Sequence, residues 1–371
     1  GTETHPGGIP ARHPCLQAGL RLAFLTKPLG TNVNILIVRV SSLGDVVHNM
    51  PMVADIRRHF PDATIDWVVE EAYASLVQLN TGVRHVIPFA LRRWRKSLLS
   101  SPTRAEMGAF YRRLRAESYD FVFDTQGLLK TGIVMQMARL ARGGKRVGLA
   151  NGTEGSGYEG ASRIFHTMSV PVGLRTHAVA RGRLVAAAAL GYQVDTPADF
   201  CLRPPDLPQP PSWLPDAPYA AFFHATARTS KQWAPANWVA TARMLQTRGL
   251  PVLLAWGSET ERQAAQQLAA QMPNARVLPK LSMMEAVFFA QRAALAVGVD
   301  TGLTHIAAAY NRPTIELYCD SPRWKTEGDW SRNIINLGDQ GTPPTVAQVD
   351  AAVTALLGAA KGMGGKQADT A

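Results

Sequence analysis

Hydrophobic and polar positions alternate along the chain in blocks that predict strands and helices in turn. The apolar, β-branched run at residues 33–40 (VNILIVRV) predicts a buried strand. A loop is predicted at residues 41–45, followed by a helical pattern to residue 60 that Pro61 stops. Three more strands and one more helix are predicted at residues 65–70, 83–89, 119–125 and 128–141, respectively. Strands that alternate with helices at this spacing indicate a parallel sheet with helices on both faces.

A proline-rich segment then divides the chain. Residues 203–218 (RPPDLPQPPSWLPDAP) contain seven prolines, which exclude a helix or a central strand and predict a stiff linker. The alternation restarts after it, with elements predicted at residues 219–225, 235–248, 251–256, 259–272, 293–299, 304–310, 314–318 and 346–359. Two Rossmann-like halves leave a cleft between them, and ligands of such sheets bind at the carboxyl ends of the strands.

These patterns predict a two-domain organisation. An N-terminal extension or leader precedes the first domain, and a helix and a flexible tail follow the second. The predicted segments are the extension at 1–33, the domains at 34–202 and 219–345, the linker at 203–218, the helix at 346–361 and the tail at 362–371.

Composition narrows the class of protein. The chain has 371 residues, of which 46% are hydrophobic, so it can build ordinary globular cores. A formal charge of +11 indicates an anionic partner, which is a nucleic acid, a membrane surface or a phosphorylated substrate. Cys15, Cys201 and Cys319 have neither metal-ligand nor redox spacing, and we expect free thiols in a reducing compartment. No apolar run approaches the ~20 residues that cross a bilayer.

The loop after the first predicted strand carries a candidate base. Residues 41–45 (SSLGD) contain one glycine and lack the G-x-G-x-x-G pattern, which argues against a dinucleotide dehydrogenase. Asp45 would face the cleft at a helix N-terminus, where the dipole favours the ionised form that accepts a proton. The alternative is that Asp45 is only a helix N-cap, and this loop by itself favours that alternative.

Two loops of the second half have the chemistry of an anion site. Thr226, Arg228 and Lys231 follow a strand end, where a hydroxyl, cations and backbone donors can hold a diphosphate; a solvated polar loop explains them equally well. Residues 300–305 (DTGLTH) begin a helix, so the amides of this loop would point into the cleft. His305 on its own favours a partly buried helix position.

An acidic residue and a basic segment complete the candidates. Glu261 lies four residues after Gly257 and can bind ribose hydroxyls, although a first-turn glutamate favoured by the helix dipole is a strong alternative. Residues 91–115 hold eight Arg and Lys against one acid, Glu106, which favours an anionic substrate or phospholipid headgroups over a solvated helix face. The chain has no H-E-x-x-H or D-x-D motif and no Walker loop, which favours a metal-independent site.

Taken together and in order, these motifs resemble the lipopolysaccharide heptosyltransferase I family, within glycosyltransferase family 9. The resemblance runs from about residue 34 to about residue 357. The matching motifs are SSLGDVVH (41–48), DWVVEE (66–71), RRWRK (92–96), DTQGLLK (124–130), HATAR (224–228), KQW (231–233), WGSETE (256–261) and DTGLTH (300–305).

The resemblance implies an α/β chain with the GT-B fold, in which two Rossmann-like domains face each other across a cleft. The N-terminal domain would bind the acceptor and the C-terminal domain the nucleotide sugar. The implied reaction is inverting transfer of L-glycero-D-manno-heptose from ADP-heptose to Kdo2-lipid A, in synthesis of the lipopolysaccharide inner core. The protein would be cytoplasmic, attached peripherally to the anionic inner membrane of a Gram-negative cell, with no nucleic-acid partner. The implied site contains no metal and requires no cofactor, and a divalent cation would at most stimulate it.

Carried over position by position, the resemblance implies that Asp45 is the general base. The implied donor contacts are Thr226, Arg228, Lys231, Glu261, Asp300, Thr301, Gly302, Leu303 and His305. The implied acceptor contacts are Ser42, Gly44, Arg92, Arg93, Arg95 and Lys130.

The sequence also departs from the family at two places. Ala227 stands where a second Thr is common, and residues 151–165 are glycine-rich where an R-E-P-type acceptor motif is usual, with Arg163 as a stand-in. A family member that adds the second heptose and a non-catalytic protein that binds nucleotide sugar or lipopolysaccharide stay open as alternatives.

Overall fold

The computed structural model describes residues 32–226 and 228–364. The predicted extension at 1–33 lies outside these residues except for its last two positions. Ala227, Cys15 and most of the predicted tail also lie outside them. The statements below concern the described residues.

The first half of the chain folds around a six-stranded parallel sheet. Its strand order is β3-β2-β1-β4-β5-β6. The strands are β1 (Asn34–Val38), β2 (Thr64–Glu70), β3 (His85–Phe89), β4 (Tyr119–Asp124), β5 (Leu140–Leu149) and β6 (Met168–Val170). The central strand β1 pairs with β2 from Asn34 opposite Thr64 and with β4 from Ile35 opposite Phe121, which fixes the register. Its last four residues are buried, as expected for a parallel strand covered on both faces.

The second half repeats this topology. Its strand order is β12-β11-β10-β7-β8-β9, so each sheet has the order of a Rossmann fold. The strands are β7 (Ala220–Phe223), β8 (Val252–Leu254), β9 (Ala275–Val277), β10 (Leu295–Val299), β11 (Thr314–Tyr318) and β12 (Ile334–Gly338). Residues 203–219, which include the predicted linker, form neither helix nor strand.

Helices cover both sheets. In the first half they are α1 (Leu43–Asn49), α2 (Pro51–His59), α3 (Ala74–Val77), α4 (Leu91–Trp94), α5 (Ser101–Leu114), α6 (Leu129–Met137) and α7 (Ala178–Leu190). In the second half they are α8 (Pro235–Thr247), α9 (Glu259–Ala269), α10 (Met283–Arg292), α11 (Gly302–Ala309) and α12 (Val346–Gly364). Across the part of the chain that the structure describes, no helix is both long and apolar enough to span a membrane.

Several predicted element boundaries were wrong. The single helix predicted after residue 45 and up to residue 60 is two helices, because Pro51 has no N–H to continue α1 and instead opens α2; α1 already begins at Leu43, inside the predicted loop. The helix predicted to reach residue 141 ends at Met137, and Leu140 already begins β5, which pairs with β4. The final helix continues to Gly364, three residues into the predicted tail.

The two halves meet where helices α1 and α11 begin. A Cβ atom at Gly44 would lie 3.2 Å from His305 Cδ2, and one at Gly302 would lie 2.6 Å from Leu43 Cγ. Glycine at these positions therefore lets the two helix N-termini approach closely. Both N-termini lie at the carboxyl ends of central strands, so their positive dipole ends border one cleft.

Candidate active site

The first-strand loop holds Asp45 in a fixed position. Helix α1 begins at Leu43 with Ser42 as its N-cap, and Asp45 is the third helical residue. The Asp45 Oδ2 atom accepts hydrogen bonds from the Ser42 backbone N–H at 3.1 Å and the Ser42 hydroxyl at 2.9 Å. The alternative that Asp45 is itself the N-cap is therefore wrong, since Ser42 occupies that position.

Two buried arginines stand behind the Asp45 carboxylate. Its Oδ1 atom lies 2.7 Å from Arg39 Nη2 and 3.9 Å from Arg181 Nη2, while 35% of the aspartate side chain stays exposed. Burial alone would raise the pKa of Asp45, but the charges of Arg39 and Arg181 and the Ser42 hydrogen bond hold this pKa below its ordinary value. The carboxylate is thus ionised and held at both oxygens, and it is still partly exposed to the cleft.

Across the cleft, Asp300 organises the second-half loops. Its Oδ2 atom accepts from Lys231 Nζ and from the Ser321 hydroxyl, both at 2.7 Å. Its Oδ1 atom accepts from His305 Nε2 and from the Thr326 hydroxyl, both at 3.1 Å. A carboxylate has about four lone-pair sites, and these four donors fill them. Asp300 therefore positions its neighbours and has no acceptor site left for a ligand.

His305 is a buried cation held between two carboxylates. Its Nδ1 atom lies 3.1 Å from Glu316 Oε1, and its Nε2 atom lies 3.1 Å from Asp300 Oδ1. Burial alone would lower the pKa of His305, but the bonds to Asp300 and Glu316 raise it to about 10. Both ring nitrogens are occupied, so His305 contributes positive charge to the cleft and no hydrogen bond to a ligand.

His48 lies directly against this cation. The His48 and His305 ring centroids are 4.4 Å apart, and His48 is buried at the cleft. Burial and the charge of His305 hold the pKa of His48 well below its ordinary value, so the His48 ring is neutral. His48 follows Asp45 by one helical turn, and this i, i+3 spacing could have identified it in the sequence.

A cavity of about 680 Å³ lies between the two halves. It brings together most of the predicted site residues, from both halves of the chain. These are Ser42, Gly44, Asp45, Thr226, Arg228, Lys231, Asp300, Thr301, Gly302 and His305. Thr301 is the N-cap of α11, so the first amides of that helix lie at the cavity. Leu303 is absent from the described residues that line it.

A second cavity, of about 610 Å³, adjoins the first at Thr226, which lines both. Glu261 lines this second cavity. Its Oε2 atom accepts from the backbone N–H groups of Gly257 at 2.6 Å and Ser258 at 3.1 Å, in a capping box that starts α9. Glu261 is thus a first-turn glutamate that caps its helix, as the alternative hypothesis expected. It also lines a cavity large enough for part of a nucleotide.

A third, smaller cavity of about 270 Å³ lies on the other side of Asp45. Four cations line it, and Asp45 is the single carboxylate among its lining residues in the described chain. The cations are Arg39, Lys130, Arg181 and Lys325. Asp45 and Ser42 line both this cavity and the largest one, so Asp45 stands where the two meet.

The predicted arginines of residues 92–95 lie elsewhere. Arg93 donates to both oxygens of Glu71 at 3.0 Å and lies 2.8 Å from Glu106, so its guanidinium is already paired. Arg92 lies 3.8 Å from Glu70. Among the described residues, neither these two nor Arg95 lines any of the three cavities. Lys130 alone of the predicted acceptor-side cations reaches the small cavity.

The sequence profile of glycosyltransferase family 9 (heptosyltransferase) matches residues 107–353, more than half of the chain. The chain belongs to glycosyltransferase family 9. Lipopolysaccharide heptosyltransferase 1 of Pseudomonas aeruginosa is 38% identical over 307 residues, which cover 82% of this chain and 84% of that protein. Lipopolysaccharide heptosyltransferase 1 of Escherichia coli K12 is 38% identical over 288 residues, covering 77% of this chain and 88% of its own.

Structural similarity supports the same family. The solved structure of E. coli heptosyltransferase WaaC with ADP-2-deoxy-2-fluoro heptose aligns with a TM-score of 0.68 and 32% identity, covering 87% of this chain and 98% of that one. The GT-B fold predicted from the sequence is therefore confirmed, and this family 9 member is a glycosyltransferase.

The family 9 site contains three cations that the motifs did not reveal: Arg39, Arg181 and Lys325. Arg39 left a signal, because an arginine at the end of an otherwise apolar strand needs a buried partner. Arg181 and Lys325 left none, since neither lies in a recognisable motif. Arg163, the stand-in for the missing acceptor motif, is exposed and is not among the described residues that line these cavities.

Proposed function

We propose that the protein transfers L-glycero-D-manno-heptose from ADP-heptose to Kdo2-lipid A, with inversion, in synthesis of the lipopolysaccharide inner core. One observation carries the proposal. Asp45, a partly exposed carboxylate, stands between a large cavity bordered by cations and helix amides and a small cavity ringed by cations. The first suits a nucleotide diphosphate and the second an anionic sugar. The related E. coli enzyme was solved with an ADP-heptose analogue.

The donor fits the large cavity and its neighbour. Lys231, Arg228 and the α11 N-terminus would hold the diphosphate, because they supply cations and unpaired amides on one wall. Thr226 lines both cavities, so the adenosine would pass beside it toward Glu261. Within the described chain, both hydrogen bonds of the helix cap go to Glu261 Oε2. The other oxygen, Oε1, is left for a ribose hydroxyl.

The reaction is a single displacement. A hydroxyl oxygen of the acceptor forms a bond to the anomeric carbon as the bond from that carbon to the β-phosphate oxygen breaks. Asp45 accepts the hydroxyl proton, and ADP departs with the bonding electron pair. Charge that develops on the diphosphate meets Lys231, the His305 cation and the α11 amides, which are already in place.

The strength of Asp45 as a base depends on its arginines. Arg39 at 2.7 Å keeps the carboxylate ionised but also makes it a weak proton acceptor, because the charge lowers the pKa. An acceptor carboxylate in the small cavity would compete for Arg39 and Arg181, and the pKa of Asp45 would rise. Binding of the acceptor would thereby make Asp45 a stronger proton acceptor just before the hydroxyl attacks.

The direct test is a transfer assay with Asp45 variants. The protein is incubated with ADP-heptose and Kdo2-lipid A, and the product mass and released ADP are measured. We expect Asp45→Asn, which keeps the shape of the side chain, to lower kcat at least a hundredfold, since positioned base catalysis contributes roughly 10²–10⁴ in rate. Other sugar nucleotides run in parallel fix the donor. A variant within a few-fold of the parent removes Asp45 from the reaction, and a parent without turnover on this pair of substrates overturns the proposed donor and acceptor.

Peripheral attachment to the cytoplasmic face of the inner membrane is part of the proposal. The basic segment presents Arg92 and Arg93, with about half or more of each side chain exposed, beside Leu98 and Leu99, of which Leu99 is 90% exposed. Cations and exposed leucines together suit an anionic lipid surface, where each basic residue contributes ~1 kcal/mol.

Vesicle flotation tests this attachment. Binding to vesicles that contain anionic lipid should weaken as salt rises from 50 to about 500 mM, because the Debye length shortens severalfold. Leu99→Ser should weaken binding at every salt concentration, whereas Leu174→Ser, an equally apolar change at an exposed residue outside the basic segment, should not. Vesicle binding that changes neither with salt concentration nor with the Leu99→Ser substitution would contradict the proposed surface.

A further inference from the structure

The small cavity is completed by a residue from the opposite half of the chain. Every described residue that lines it belongs to the first half of the chain, apart from Lys325. Lys325 also lines the large cavity, so it stands at the boundary between the two, as Asp45 does on the facing wall. Lys325 lies outside the strands of both sheets, so its position depends on the residues that it contacts.

Lys325 reaches across the cleft. Its Nζ atom donates a hydrogen bond to the backbone oxygen of Gly155 at 2.9 Å, in the glycine-rich segment that departs from the family. Gly155 has φ of +63°, and a Cβ there would lie 3.1 Å from Lys325 Nζ. An ammonium has three N–H donors, so one bond to Gly155 leaves two for an anion in the cavity.

The neighbours of Lys325 in the chain are also held by the first half. The Arg175 guanidinium lies 4.8 Å from the centre of the Trp324 ring, and His177 Nε2 lies 2.9 Å from the Glu327 backbone oxygen. Three successive contacts thus fix residues 324–327 against the first half. The position of the Lys325 ammonium is therefore set by the approach of the two halves.

The surroundings of Lys325 are rich in charge. Burial, then the positive charge of Arg181, lowers the pKa of Lys325, while Asp45 acts in the opposite direction. Arg39, Arg181 and Lys130 already give the small cavity three positive charges against one carboxylate. A fourth cation in this group raises the repulsion among them, which an incoming anion would relieve.

We propose that Lys325 is an acceptor-binding residue, whose ammonium contacts a sugar carboxylate of the acceptor in the small cavity. The proposal rests on the function proposed above, because it takes the acceptor to be an anionic sugar. It adds that the acceptor subsite is complete only when the second half has closed onto residues 153–177. A donor in the large cavity would contact residues of both halves, so we expect it to favour this closed arrangement and with it acceptor binding.

Kinetics of three variants test the assignment. Lys325→Met removes the charge and keeps an apolar stem, Lys325→Arg restores a cation, and Lys280→Met changes an exposed lysine outside the cavities. We expect Lys325→Met to raise KM for Kdo2-lipid A about tenfold or more and to change KM for ADP-heptose less than twofold. Lys325→Arg should recover most of the loss, and Lys280→Met should match the parent.

Esterified acceptor identifies the group that Lys325 contacts. Methyl esters at the sugar carboxylates should raise KM by a smaller factor for Lys325→Met than for the parent, because the variant has already lost one of the contacts that esterification removes. Independent, multiplicative losses would overturn the proposal. A rise in KM for ADP-heptose in place of Kdo2-lipid A would also overturn it and assign Lys325 to the diphosphate.

A binding measurement separates this inference from the proposed function. A Kdo disaccharide is titrated calorimetrically into the parent and into Lys325→Met, each saturated with ADP. Weaker binding by Lys325→Met, with an unchanged affinity for ADP, supports the contact even if the parent transfers no heptose. Equal binding by the two proteins overturns it even if the parent is an active transferase.

Discussion

The contact between α1 and α11 makes a quantitative prediction about Gly302. A methyl group at this position would lie 2.6 Å from Leu43 Cγ, 2.7 Å from Leu43 Cδ2 and 2.9 Å from Leu43 Cβ. Carbon atoms need about 3.5–4.0 Å, and Leu43 Cβ is fixed to the α1 backbone, so a rotamer change cannot relieve the clash. The two helices must separate by about 1 Å.

That separation acts directly on the reacting groups. Asp45 lies on α1, two residues after Leu43, and the α11 amides lie beside Gly302. A displacement of 1 Å between base and leaving-group site can cost about 10²-fold in rate. Overpacking of this kind also costs about 1–3 kcal/mol of stability. We therefore expect Gly302→Ala to lower kcat between tenfold and a hundredfold and to lower the free energy of unfolding by about 1–3 kcal/mol.

A matched control and a rescue variant make this prediction sharp. Gly358 lies in α12 with no atom within 4 Å of the position of its Cβ, so Gly358→Ala should leave kcat unchanged and stabilise the helix by up to about 1 kcal/mol. The Leu43→Gly change removes the clashing Cβ together with the rest of the side chain, so it should restore room for Gly302→Ala. Heptose transfer and urea unfolding are measured for the single and double variants. Equal kcat in parent and Gly302→Ala, or strictly additive losses in the double variant, would refute the proposed helix contact.

Three further predictions concern charge and metal. Because the folded pKa of His305 is raised to about 10, its stabilisation is complete below its ordinary pKa of about 6.5 and is lost as pH rises through about 10. The free energy of unfolding should therefore fall over this range, and His305→Gln should be less stable at pH 7 and lack this dependence. Lys130→Met should raise KM for Kdo2-lipid A several-fold, whereas Arg93→Met should change it less than twofold, because Arg93 is paired with Glu71 and Glu106. Chelation with EDTA should leave the transfer rate within twofold, and a tenfold loss would contradict a cofactor-free site.

The sequence predicts the fold well where strands are apolar and poorly where they are not. Strand β1 is a continuous β-branched run, and its burial on both faces makes that composition necessary. Strand β5 reads LARGGKRVGL, which has no strand periodicity, and it forms because β4 offers an unpaired edge. Such an element depends on tertiary pairing, which local sequence does not encode.

The site follows the same division. Thr226, Lys231 and Thr301 could be predicted because each follows a strand of a Rossmann-like sheet, and the fold brings these ends to one edge. Lys325 follows β11 by seven residues and reaches the small cavity only through contacts with Gly155 and neighbouring residues of the other half. The contact between Lys325 and Gly155 depends on how the two halves pack together, and local sequence patterns do not predict that packing.

Asp45 and Asp300 show why position alone does not assign a role. Each follows a central strand, β1 or β10, each lies at a helix N-terminus, and each is held by cations that lower its pKa. The difference lies in the number of donors. Four hydrogen bonds saturate Asp300 and leave 11% of its side chain exposed, whereas Asp45 has three close donors, two on Oδ2 and one on Oδ1, and remains 35% exposed. A proton acceptor must have a free lone pair within reach of the substrate, so of these two aspartates we propose Asp45 as the base, with Asp300 holding Lys231 and His305 in place.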